Sequence, residues 1–190
     1  MKIHDITREL FSTPVFPGDP EPKYTFVNSM KYGDEYNLSN ISLCPHNSTH
    51  MDAPYHFLNN GKTIENVELS KCIGKCVVME VDENIGREEI KQLADSGVSR
   101  ILFKGKKSLT KEAAKQLVNQ GIVLVGVECQ VIAIKGEETA VHRVLLKDEV
   151  VILENLDLSM VDEGEYELVA LPLKMKEIEA SPIRAILIER

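Results

Sequence analysis

The sequence predicts an α/β protein in which strands and helices alternate through the middle of the chain. Apolar, β-branched runs at 74–81, 100–104, 122–127 and 150–154 are separated by segments with helical spacing at 87–97, 110–121 and 137–148. That is the pattern of parallel strands joined by helices. The first third of the chain is strand-rich and does not fit a simple doubly wound sheet. No linker, internal repeat or low-complexity stretch interrupts the 190 residues, so the expected organisation is a single domain over 1–190.

Taken in order, residues 1–45 read as strands and loops. "TPVFPGDPEP" (13–22) holds four prolines and a glycine, which excludes a helix or a central strand. "NISLCP" (40–45) alternates and reads as a strand running straight into a histidine cluster. "GKCVVMEV" (74–81) is a buried strand by its continuous apolar character. "REEIKQLADSG" (87–97) has acids in its first turn, Ile90, Leu93 and Ala94 on one face, and Gly97 as terminator, so a helix is expected. "RILFK" (100–104) is a strand. "TKEAAKQLVNQG" (110–121) is a helix with Thr110 as N-cap and Gly121 as stop. "IVLVGV" (122–127) is a buried strand, "EETAVHRVLLKD" (137–148) a helix and "VVILE" (150–154) the strand leading out of it. "YELVALPLK" (166–174) and "IRAILIE" (183–189) close the chain as strands.

Composition narrows the function classes. The chain is 43% hydrophobic and 27% charged, with net charge −8 and pI about 5.2. Nucleic acid and anionic membrane surfaces need clustered Lys and Arg, so neither is the expected partner. No apolar run approaches the roughly 20 residues of a membrane span, and the charged start "MKIHDITREL" does not read as a signal peptide. The four cysteines (44, 72, 76, 129) form no CxxC pair. They read as free thiols of a reducing, cytoplasmic compartment.

The chemistry concentrates in "HNSTHMDAPYH" (46–56), which holds three of the five histidines. Pro45 and Pro54 bracket the cluster against a regular helix, so it reads as a loop or short turn able to fold several side chains toward one point. Imidazole and carboxylate together are a ligand set for Zn²⁺, Mn²⁺ or Fe²⁺. His46, His50 and Asp52 are the candidate ligands here. One ion needs three or four protein ligands, so a distant contributor is expected. His142, on an apolar-flanked helix, and Glu154, at the end of an apolar strand, supply a second pair. His4 alternates with apolar neighbours and reads as structural.

These segments carry a resemblance. "HNSTHMDAPYHF" resembles the HxGTHxDxPxHF signature of the cyclase family, which includes bacterial kynurenine formamidase and isatin hydrolase. "TPVFPGDP" is similar to the family's N-terminal TPxWPGDP-like loop. "HRVLLKDEVVILENLDL" is similar to its later ligand segment, and "LPLKMKEIEASPIRAI" to its C-terminal LPLK…G(A/S)PxRA segment. The similarity spans nearly the whole chain.

The resemblance implies a swivelling β/β/α-type fold, a small barrel-like β core flanked by helices. It implies a metal-dependent hydrolase acting on C–N bonds other than peptide bonds, resembling arylformamidase. The divalent metal is Zn²⁺, with Mn²⁺ the alternative, at one or two ions per chain. His46, His50, Asp52, His142 and Glu154 match the metal ligands, with Asp52 bridging two ions and Glu154 able to reach both. His56 matches the acid/base residue. A metal-activated water would attack an amide or formamide carbonyl while His56 shuttles the proton to the leaving amine. The implied partners are a small-molecule substrate and further copies of the chain, as a homodimer or homotetramer.

Three positions depart from the family pattern. Ser48 replaces a glycine whose backbone freedom the loop uses. Phe16 replaces a tryptophan that resembles a substrate-facing ring, losing its N–H donor. Val131, in "GVECQVIAI" (126–134), stands where relatives carry a serine hydroxyl, and Glu128 where they carry aspartate. These departures keep two alternatives open: the same metal site acting on a cyclic amide or lactone, and a metal- or ligand-binding homologue without turnover.

Overall fold

A computed structural model describes residues 1–91 and 97–189. Ten strands are described: β1 Lys2–Asp5, β2 Lys23–Asn28, β3 Leu38–Ser42, β4 His50–Asp52, β5 Ile73–Glu80, β6 Arg100–Lys104, β7 Leu124–Val127, β8 Val151–Glu154, β9 Gly164–Pro172 and β10 Ala180–Glu189. The α-helices are α1 Arg87–Lys91, α2 Lys111–Asn119 and α3 Glu138–Lys147. Strands β5, β6, β7 and β8 pair in parallel, as the alternation of strand and helix predicts. Antiparallel pairings then carry β8 to β4, β4 to β10, β10 to β9 and β9 back to β5. The order β10-β4-β8-β7-β6-β5-β9 returns to β10, so seven strands close into a barrel. This is the small barrel-like β core with flanking helices that the resemblance implies.

β10 can close the ring because it is long. On one side it pairs with β9. On the other, its first residues face β4 and its last face β1.

The period of two along each strand splits the core in two. Leu102, Leu124, Val151, Leu153, Leu168 and Leu187 point into the barrel, with Met51, Cys76 and Val78. Gly126 faces the same interior: a Cβ there would lie 2.6 Å from Leu102 and 2.7 Å from Leu156, so only glycine leaves those leucines their space. Residues of opposite parity, including Ile101, Phe103, Val125, Val127 and Ile152, face outward and pack on Ala113, Leu117, Val141 and Leu145 of α2 and α3. Thr110 caps α2 as its sequence predicts, its hydroxyl accepting from the Ala113 N–H at 3.2 Å.

Several expectations need correction. The strand at 40–45 does not run into the histidine cluster. It is β3, it ends at Ser42, and it pairs with β2 in a separate two-stranded sheet. The cluster itself is not simply a loop: His50–Asp52 is β4, a fully buried strand. Three residues cannot hold a strand by propensity. β4 is extended because β8 and β10 flank it on both sides. Of the helix expected at 87–97, residues 87–91 form α1 and residues 92–96 lie outside the described ones. β9 and β10 begin earlier than expected, at 164 and 180. Among the described residues no helix is long and apolar enough to cross a membrane.

Candidate metal centre

The site lies on the outer face of the barrel, where β4 and β8 run beneath α3. In β4, His50 and Asp52 are two residues apart and share a face, while Met51 points into the core. In β8, Glu154 pairs directly with His50, and its neighbour Leu153 points inward. α3 crosses above and presents His142, which is buried. The turn before β4 contributes His46, and the short 3-10 turn Pro54–His56 after it contributes His56.

The carboxylates sit among the imidazoles. Asp52 Oδ1 lies 3.2 Å from His46 Nδ1 and 3.5 Å from His50 Nε2, and its Oδ2 lies 3.6 Å from His142 Nε2. Glu154 Oε2 is 3.4 Å from His50 Nε2 and its Oε1 is 3.4 Å from His142 Nε2. The three imidazoles that the resemblance implies as ligands therefore gather at the Asp52 and Glu154 carboxylates.

The backbone aims two of the rings. His50 Nδ1 donates to the Ser48 carbonyl at 2.9 Å and His142 Nδ1 donates to the Glu138 carbonyl at 2.7 Å. Each ring thus turns Nε2, with its lone pair, toward the carboxylates. Glu154 is held in turn by the Ile132 N–H, which donates to its Oε1 at 2.7 Å. A backbone donor does this work, so the hydroxyl absent at Val131 is not needed to fix Glu154. Glu128 is not at the metal centre: its carboxylate accepts from the Gly105 and Leu158 N–H groups.

Ser48 sits at φ +59°, the left-handed region that favours glycine. Its hydroxyl donates to the Arg8 carbonyl at 2.9 Å and lies 3.2 Å from the Thr13 hydroxyl. The serine keeps the glycine-like backbone and fastens it to the N-terminal segment.

The donor set fits a divalent cation on a structural observation. Both oxygens of Asp52 and Nε2 of His50 are buried without any hydrogen-bond partner. Buried polar atoms left unpaired cost about 1–3 kcal/mol each, more for charged groups, and a cation at their focus removes that cost. Two groups of three converge: His50, Asp52 and Glu154, and His46, Asp52 and His56. They share Asp52, as a bridging carboxylate between two ions would. The charges point the same way. Burial opposes charge on His50 and His142, yet Asp52 and Glu154 outweigh it and hold both imidazoles above their usual range. Burial likewise opposes ionisation of Asp52, but His46 and His50 bring it well below the usual carboxylate range.

His56 differs. Burial, reinforced by His46 and His142, pushes it down against the pull of Asp52. Its ring lies 4.3 Å from that of His46 and 4.5 Å from that of Phe57. Phe57 stacks on His142 at 4.4 Å. A cavity of about 260 Å³ opens over the cluster, walled by Phe16, Phe57, Val131 and Gln130. Phe16 is thus at the site as the resemblance implies, 48% exposed. Its loop is tied down by Gln130, whose amide donates to the Pro14 carbonyl at 2.6 Å, and by Asn47, which donates to the Pro20 carbonyl. Sequence reasoning missed Phe57, Gln130 and Glu179. Glu179 Oε1 lies 3.4 Å from His46 Nε2.

The family model Cyclase, described as "Putative cyclase", matches residues 4–133. A kynurenine formamidase of Bacillus thuringiensis subsp. konkukian is 33% identical over 187 residues, covering 90% of each chain. A kynurenine formamidase of Bacillus cytotoxicus is 32% identical over the same length. Among solved structures, a potential metal-dependent hydrolase with cyclase activity superposes with a TM-score of 0.87 at 30% identity, covering 100% of this chain and 98% of that one. Isatin hydrolase A from Labrenzia aggregata, bound to benzyl benzoate, shares the fold with a TM-score of 0.86 at 21% identity, covering 100% of this chain and 94% of that one.

Proposed function

The chain belongs to the cyclase family, and from that premise we propose that it is a metal-dependent hydrolase of non-peptide C–N bonds that cleaves aryl formamides, as an arylformamidase does. The observation that carries this reading is the orphaned pair of Asp52 oxygens at the focus of three imidazoles and Glu154. His46, His50, Asp52, His142 and Glu154 would hold one or two divalent ions, Zn²⁺ by preference from the N/O donor set and Mn²⁺ as the alternative. Bound there, the metal supplies Lewis acidity, which favours an oxyanion and a more acidic water.

The chain's own residues do the rest. Phe16 and Phe57 offer two apolar faces for an aryl ring at the mouth. His56 lies against His46 and is held toward its neutral form, so Nδ1 or Nε2 can take a proton from water and return it to the leaving amine nitrogen. Phe57 and Val131 wall the cavity beside it.

One observation favours a second reading of His56. It converges with His46 and Asp52 closely enough to ligate an ion itself, which would leave proton transfer to water. The substrate too has an alternative: a flat cyclic amide or lactone would meet the same apolar wall of Phe16 and Phe57.

The experiment is elemental analysis of protein purified without chelator, paired with hydrolysis assays on N-formylkynurenine, simple formanilides and cyclic imides. Turnover of the aryl formamides that is lost to chelator and restored by metal supports the reading. Metal-replete protein that leaves the whole panel intact overturns it. The chain is further proposed to work as a homodimer or homotetramer, for which the exposed β2–β3 sheet speaks. Tyr24, Phe26, Leu38 and Ile41 on it are each at least 45% exposed.

A further inference from the structure

His46 stands between two carboxylates. Its Nδ1 faces Asp52 Oδ1 at 3.2 Å, and its Nε2, on the far edge of the ring, faces Glu179 Oε1 at 3.4 Å. The sheet fixes this placement. The β4–β10 ladder sets Ala180 opposite Asp52, and the carbonyl of Glu179 accepts from the Ala53 N–H at 2.9 Å. Residue 179 is therefore held beside β4 by its backbone, whatever its side chain, and the side chain reaches back over the His46 ring.

The other two ligand candidates are oriented differently. His50 and His142 spend their outer nitrogen, Nδ1, on backbone carbonyls. Among the described residues no backbone carbonyl takes that place at His46, whose outer nitrogen is Nε2. Glu179 takes it instead. Glu177, two residues earlier, does not: its carboxylate pairs with Lys176 at 3.1 Å.

We infer that Glu179 is the positioning residue of His46: its carboxylate accepts the Nε2–H, fixes the ring and its tautomer, and leaves the Nδ1 lone pair aimed at the Asp52 side of the cluster. A neutral imidazole carries its proton on one nitrogen, so holding it at Nε2 commits Nδ1 as donor. Glu179 is not itself a ligand, because it faces the nitrogen turned away from Asp52. The inference rests on the reading of the cluster as a metal centre. It adds a seventh side chain to that centre, one held immediately before β10, outside the ligand motifs.

The test is Zn²⁺ affinity of the full chain, freed of metal and titrated in competition with a chromogenic chelator. Glu179→Gln, which keeps an oxygen acceptor and loses the charge, is expected to weaken one ion about tenfold. Glu179→Ala is expected to weaken it by up to about 100-fold, the range for carboxylates behind a ligand histidine. Glu177→Gln is the control and leaves affinity unchanged. The melting temperature of the metal-free protein is expected to be the same in all four, because the 179 backbone bond to Ala53 is intact. With Co²⁺ as probe, the visible absorption of the Glu179 variants shifts as His46 loses its fixed orientation. Wild-type affinity in both Glu179 variants overturns the inference, and Glu179→Gln alone decides if the alanine form does not fold. A wild type that binds neither Zn²⁺ nor Co²⁺ overturns the metal-centre reading instead.

Discussion

His50 and Glu154 are direct partners in the β4–β8 ladder, and their side chains meet with Nε2 3.4 Å from Oε2. Two ligand candidates 104 positions apart are thus locked at one rung of a barrel, where neither can drift without breaking backbone pairing. Replacing Glu154 by Ala is expected to weaken metal binding by more than about 100-fold, beyond the loss seen for residues that merely support a ligand. Elemental analysis after desalting checks this. Stripping the wild type with chelator is expected to lower its melting temperature by about 5–10 °C. An ion present at 100 times its Kd contributes about 2.7 kcal/mol, and a chain of this size shifts about 2–4 °C per kcal/mol.

His56→Ala separates the two readings of that residue. As a proton shuttle, its loss lowers kcat by about 10²–10⁴-fold with every ion retained. As a ligand, its loss also removes one ion from the stoichiometry. Metal content and kcat, measured on the same preparation, distinguish them.

Phe16→Ala is expected to raise KM for an aryl formamide about tenfold and to leave kcat within about threefold, since a phenyl face at the cavity mouth binds the ground state and the transition state alike. Phe16→Trp would restore the larger ring and lower KM. Steady-state kinetics on formanilide reads both.

Stability above neutral pH is expected to depend on the buried thiols. Burial pushes Cys76 up to about 12 and Cys72 up to about 11, from an ordinary 9.0. Above pH 9 the unfolded chain releases protons that the folded chain keeps. This stabilisation is therefore complete below pH 9 and is lost as pH rises, at about 1.4 kcal/mol per pH unit per thiol until each folded-state value is reached. Urea unfolding at pH 8 and pH 10 should show a pH-dependent loss smaller by about 1.4 kcal/mol in Cys76→Ala than in the wild type.

The β2–β3 sheet has nearly every residue exposed, and an isolated two-stranded hairpin is marginal in water. Light scattering is expected to return a mass two or four times the 21.3 kDa of one chain. Charged substitutions at Phe26 and Ile41 together should reduce it toward the monomer.

Much of this was legible in the residues. Runs such as 74–81 and 100–104 are apolar because both faces of their strands are covered, and that leaves a plain signal. The ligands were legible because imidazole and carboxylate at short spacing admit few other uses. What the sequence concealed depends on long-range pairing. β4 has the composition of a loop and is a strand only between two neighbours. β2 and β3 have no buried face, so the alternation at 40–45 marks a strand but not its partner, and β2 carries no core pattern at all. Glu179 is one of two acids in "KMKEIEAS", and only its backbone bond to Ala53 beside the β4–β10 ladder singles it out.

The barrel closes through β10, which follows every other barrel strand in chain order. Until residues 180–189 have emerged, β4 can pair only with β8, leaving one edge bare. His46, His50 and Asp52 leave the exit tunnel early but cannot be clasped into their final arrangement before that strand arrives. Assembly of the cluster is thereby coupled to the arrival of β10, and a chain cut before residue 180 would carry every ligand candidate with β4 open along one edge.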